Sequence, residues 1–179
     1  MPARSKARKR ALDVLFEAEL RGSPVLELLA ERITMGSPPV PAYAADLVRG
    51  VTVHSARIDE LISEYAEGWT MDRMPAVDRN VLRIGVYELL WADDVPDGVA
   101  ISEAVALAED LSTDASPSFV NGVLSRLATE KPTLDLDPKP LSDDEDLDGR
   151  ELDDADPDDT SLDDPAPVNK PAPADRSQA

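Results

Sequence analysis

The chain has 179 residues, a formal net charge of −19 and no cysteine. That length suits one well-buried domain, or one domain with a tail, and the lack of cysteine excludes disulfides, thiolate metal sites and a cysteine nucleophile. The charge is uneven: residues 131–179 hold 16 acidic and 5 basic residues, repeated Pro and Asp, and no aromatic, which leaves −8 on residues 1–130.

Helical spacing dominates residues 4–129, and no hairpin signal interrupts it. The first segment, "ARSKARKRALDVLFEAELRG", places Ala7, Ala11, Val14, Leu15 and Ala18 on one face, with Leu12, Phe16 and Leu20 on a second stripe about 100 degrees round. A second helix opens at Ser23 and Pro24 with Val25, Leu28, Leu29 and Ile33 on its apolar side. "GSPPVP" breaks the chain at 36–41. After it Tyr43, Leu47, Val51, His54, Ile58, Leu61, Ile62 and Tyr65 keep one stripe, which predicts a long or kinked helix.

From Pro75 the pattern is apolar nearly all round, as expected of a central helix touched on several sides. Asp97 and Gly98 open the next helix, and Ser116 with Pro117 is expected to serve as N-cap and first-turn pair of the last. The sum is an all-α domain of six or seven helices over residues 1–130. Residues 131–179 have too little apolar surface to offset the entropy of ordering and are expected to form a disordered Asp/Pro-rich acidic tail.

Asp13, Glu17 and Glu19 follow the basic start where a secretory signal would be apolar, and no run reaches membrane-spanning length. The expected location is cytoplasmic, with no membrane partner.

The basic start raises a physical question, since cations at a helix N-terminus oppose the macrodipole by about 0.3–1 kcal/mol each. Either the arm is frayed and solvated, or Arg4, Lys6, Arg8, Lys9 and Arg10 form a phosphate site on a nucleic acid. A second basic group has Arg79 and Arg83 at i,i+4 with Tyr87 one turn on and Arg73 nearby. Those arginines either pair with acids over a core tyrosine or combine phosphate pairing with base stacking.

Asp72, Asp78 and Asp114 stand at turns or helix starts, suited to capping or to a basic partner. Glu88, inside an apolar run, requires a partner, because a lone buried carboxylate is costly. His54 lies on an apolar stripe and reads as half-buried rather than as a ligand. With no paired acid and base, triad, phosphate-binding glycine loop or calcium loop, no enzymatic activity, metal or cofactor is expected.

The strings "RSKARKRALDVLFEAEL", "GWTMDRMPAVDRNVLRIGVYELL", "VPDGVAISEAVALAEDLS" and "SPSFVNGVLSRLA" resemble, in this order, the NusB family of bacterial transcription antitermination factors. The likeness covers nearly all of residues 4–129. It implies two small helical subdomains and a non-enzymatic adaptor. Such an adaptor binds single-stranded boxA RNA jointly with the ribosomal protein NusE, within an RNA polymerase complex that reads through terminators of ribosomal RNA operons.

The resemblance implies RNA contacts at Arg4, Lys6, Arg8, Lys9 and Arg10, with Arg73, Arg79, Arg83 and Asn121 as further members. It implies a NusE surface at Phe16, Asp72, Asp78 and Asp114. Phe16 stands where relatives often carry tyrosine, and the tail after Thr129 has no counterpart in the family core. Family members include monomers and dimers, so a homodimer is compatible with the resemblance. The competing reading is a helical module that binds only protein. If RNA is bound, the tail either visits the basic arm and weakens non-specific binding by competition or only solubilises the chain and touches nothing.

Overall fold

A computed structural model describes residues 3–136. Seven α-helices follow in order: α1 Ala3–Arg21, α2 Val25–Met35, α3 Ala42–Val53, α4 Ser55–Tyr65, α5 Ala76–Trp91, α6 Asp97–Leu111 and α7 Ser116–Glu130. There is no strand among the described residues. Helices α1, α2 and α3 pack on one another, as do α5, α6 and α7, with α4 laid on α5 and α7. These are the two helical groups expected from the sequence, and one continuous hydrophobic core runs through both.

Helix α5 joins the groups because it meets α1, α3, α4, α6 and α7. Its all-round apolar pattern follows from those neighbours: Val81, Leu82, Ile84, Val86, Leu89 and Leu90 are all buried. Two helix crossings depend on glycine. A Cβ at Gly50 of α3 would overlap the Tyr87 ring, and one at Gly85 would meet Leu124 Cδ1 of α7 at 2.7 Å.

The stripe from Tyr43 to Tyr65 is two helices. His54, at φ −98° and ψ 13°, separates α3 from α4 and stacks its ring on Trp91 at 4.4 Å. The break re-aims the chain, so that Leu47 and Val51 before it and Ile58, Leu61 and Ile62 after it all reach the core.

At the start of α7, Ala115 occupies the N-cap position expected for Ser116. The Ser116 hydroxyl instead turns inward and donates to Asp78 Oδ2 at 2.8 Å. Beyond Glu130 the chain continues as a 3-10 turn, Lys131–Thr133, and Leu134 and Leu136 pack partly against the core. Lys131 Nζ pairs with Asp97 at 2.8 Å, and Arg57 Nε donates to the Asp135 carbonyl at 3.2 Å. The expected boundary at 130/131 therefore falls within a packed stretch. The acidic tail, and with it the choice between visiting the basic arm and touching nothing, lies outside the described residues from 137 on.

Candidate nucleic-acid interface

Helix α1 begins with no acid in its first turn, so its early cations act on an uncompensated dipole. The five expected phosphate ligands divide by helical face. Lys6 and Lys9 are exposed and make no ion pair among the described residues. Arg4 is half exposed, pairs with Asp94 at 2.5 Å and lies over the Tyr43 ring at 4.7 Å.

Arg8 does not belong to this outward set. Its side chain is 2% exposed, with Nε donating to Glu88 at 2.8 and 3.0 Å and Nη1 held 3.3 Å from Glu103. Arg10 is mostly buried: its Nη2 donates to the Pro38 carbonyl at 3.1 Å, and its Nη1 lies 3.8 Å from Asp13. The spacing Arg4, Arg8, Ala11, Leu15 explains the division, because it continues the buried face of α1 backward into the basic stretch.

The buried cluster is electrostatically consistent. Burial disfavours the Arg8 cation, but the hydrogen bond and charge of Glu88 outweigh it and raise the pKa. Tyr43 donates to Glu88, and burial, reinforced by that carboxylate, pushes its phenol pKa up. On the opposite side of α1, burial raises the Asp13 carboxyl pKa despite the nearby Arg10 and Lys9.

The second basic cluster is also consumed internally. Arg79 pairs with Glu19 and donates to the carbonyls of Met71 and Met74. Arg83 grips Asp59 through two bonds of 2.8 Å and reaches Glu19 at 3.1 Å. Burial alone would raise the Glu19 pKa, yet hydrogen bonds from Arg79 and Asn80 and the two arginine charges hold it below the usual carboxylate range.

Tyr87 is half-buried, lies close against Gly50 and stacks near His54 and Trp91, so its ring is engaged by the α3–α5 crossing. Arg79 and Arg83 are thus structural residues in this arrangement, because acids from α1 and α4 reach them first. Glu19 is 13 residues beyond Lys6, which puts the two clusters about 20 Å apart along α1. Arg73, in the turn before α5, and Asn121, on α7, remain exposed.

Of the expected partner residues, Phe16 lies in the far half of α1, whereas Asp72, Asp78 and Asp114 stand in the turn before α5, at the start of α5 and in the turn before α7. The second stripe of α1 is graded outward: Leu12 is buried, Phe16 half-buried and Leu20 77% exposed. Arg79 ties the turn carrying Asp72 to Glu19, one helical turn beyond Phe16. Asp72 and Asp114 are exposed, whereas Asp78 is 4% exposed and receives the Ser116 hydroxyl. Its Oδ1 has no hydrogen-bond partner among the described residues, and Asp78 lines a cleft and does not stand out from the surface.

That cleft has a volume of about 190 Å³ and is walled by Trp69, Pro75 and Phe119. Trp69 is half exposed and tilts against Phe119 at 6.2 Å. Neither aromatic is among the residues singled out from the sequence. An exposed tryptophan at the end of an apolar stripe was the available signal.

The NusB family model matches residues 5–129. The chain belongs to the NusB family. It is 61% identical to the transcription antitermination protein NusB of Thermobifida fusca over 134 residues, spanning 75% of this chain and 94% of that protein. The Nocardioides sp. protein of the same name is 63% identical over 134 residues, spanning 75% and 99%. Among solved structures, a chain from a crystal structure of the antitermination factors NusB and NusE with double-stranded RNA superposes with a TM-score of 0.62. It is 31% identical and covers 70% of this chain and 96% of its own length. No helix among the described residues is long and apolar enough to cross a membrane.

Proposed function

We propose that the chain is a transcription antitermination factor that works as a non-catalytic adaptor. It holds boxA-type RNA at the start of α1 and NusE at the far end, so that RNA polymerase traverses ribosomal RNA operons without stopping. The observation that carries this reading is the division of α1. One end presents Lys6 and Lys9 with Arg4 beside them, and the other presents Phe16 and Leu20, with the turn that carries the exposed Asp72 tied through Arg79 to Glu19. Cations meet RNA phosphates at the first end. An apolar strip with an acidic rim suits a basic ribosomal protein at the second. Relatives carrying the antitermination name support the role, and the neighbour solved with NusE and RNA supports those two as partners.

The internal pairing of Arg8, Arg79 and Arg83 favours a second reading, a module that binds protein alone, since it removes much of the expected basic surface. Titration of boxA-type RNA with and without NusE separates the two. Lys6→Glu with Lys9→Glu should abolish RNA binding and leave NusE affinity within twofold. Phe16→Asp should do the reverse. RNA binding that survives the double charge reversal would reject the adaptor reading.

A further inference from the structure

Glu88 is 1% exposed in the apolar middle of α5, where an unpaired carboxylate would be costly. It accepts two bonds from Arg8 Nε and one from the Tyr43 hydroxyl. The ties spread from there across the first two turns of α1. Ser5 Oγ donates to Glu103 at 2.9 Å, Arg8 Nη1 reaches the same carboxylate, and Arg4 pairs with Asp94. Arg4 and Arg8 also flank the Tyr43 ring at 4.7 and 5.7 Å.

Apart from the Tyr43–Glu88 bond between α3 and α5, each of these contacts joins the inward side of α1 to α3, α5, α6 or the turn after α5, while Lys6 and Lys9 face outward. With no acid in its first turn and cations against its dipole, this end of α1 would fray in isolation.

We propose that Glu88 is a positioning residue for RNA: by holding Arg8 and Tyr43 it keeps the first turns of α1 helical, so that Lys6 and Lys9 meet the backbone from fixed positions. The proposal rests on the reading that these lysines contact RNA, and a Lys6→Ala/Lys9→Ala variant tests that reading separately. Preorganised cations lose less freedom on binding than cations on a frayed arm.

The test uses the full chain, a boxA-type RNA oligonucleotide, NusE, and hydrogen exchange of the amides of residues 7–11. Glu88→Gln keeps the shape and removes the charge. It should weaken RNA binding at least tenfold and speed exchange at residues 7–11 at least tenfold. Exchange in α6 and α7 and affinity for NusE should stay within twofold. Tyr43→Phe, which leaves the ion pair in place, should produce the same pattern at about threefold and serves if Glu88→Gln fails to fold.

Wild-type RNA affinity in the variant used would overturn the proposal, as would weaker binding with unchanged exchange at residues 7–11. Faster exchange throughout the chain would show a merely structural role and overturn it too. If instead Lys6→Ala/Lys9→Ala binds RNA like the wild type, the failure lies in the RNA reading itself.

Discussion

The basic residues of α5 and those of α1 start from similar sequence patterns and meet different neighbours. Arg79 and Arg83 sit at i,i+4 facing the far half of α1, and Glu19 and Asp59 fill the space between the helices. The planar guanidinium suits that setting, since it binds carboxylates through two parallel donors. Lys6 and Lys9 project from the outer side of α1, exposed among the described residues. Arg8, between the lysines in sequence, behaves as an α5-type arginine because helical rotation turns it inward. Availability for RNA is therefore set by the helical face and by the acids opposite, and local basic density alone does not reveal it.

The largest loss of stability is expected at Glu19. Glu19→Gln weakens the pairing of Arg79 and Arg83 and should destabilise the fold by about 2–4 kcal/mol, below the cost of breaking a fully buried pair because Glu19 retains some exposure. Urea unfolding measures this, and a loss under about 1 kcal/mol would mean the network contributes little. A smaller effect is expected at the α3–α5 crossing. Gly50→Ala drives a methyl into Tyr87 and should cost about 1–3 kcal/mol, whereas a neutral result would show that the ring moves aside freely.

Acid titration sharpens the contrast further. Glu17 is held below the usual carboxylate range, chiefly by its hydrogen bond from Arg32, and Glu19 by Arg79 and Asn80 against its burial. A depressed folded pKa gives stability that is full above the unfolded value of about 4.3 and is lost as pH falls through the folded value. Asp13, raised by burial, contributes with the opposite sign. The wild type should therefore lose stability between about pH 5 and pH 2 more steeply than Glu19→Gln. Equal slopes would place the acid sensitivity elsewhere. The smallest change is expected at the outer lysines: Lys6→Ala/Lys9→Ala should alter stability by less than about 0.5 kcal/mol, as for exposed residues without partners.

Much of this architecture is legible in the sequence. The apolar stripes locate the helices, and the all-round pattern of α5 announces its central place. The buried Glu88 declares its need for a partner, but that partner is Arg8, 80 positions earlier in the chain. Pairing across such a separation depends on how α1 settles on α5, which no local periodicity encodes. The division of the basic arm was closer to hand, since Arg4 and Arg8 prolong the buried face of α1. Density of charge concealed that spacing. Glu19, 60 residues before Arg79, was hidden for the same reason as Arg8, and the turn at His54 was hidden by a stripe that keeps its phase across the break.

The most direct test is the salt dependence of RNA binding by the full chain. Lys6 and Lys9 on the outer side of α1, together with the half-exposed Arg4, predict a slope of log affinity on log salt of about −2 for single-stranded RNA, falling to about −0.7 in Lys6→Ala/Lys9→Ala. A wild-type slope near −3.5, as for about five phosphate contacts, or a slope unchanged by removing the two lysines, would contradict the assignment of RNA to the outer face of α1.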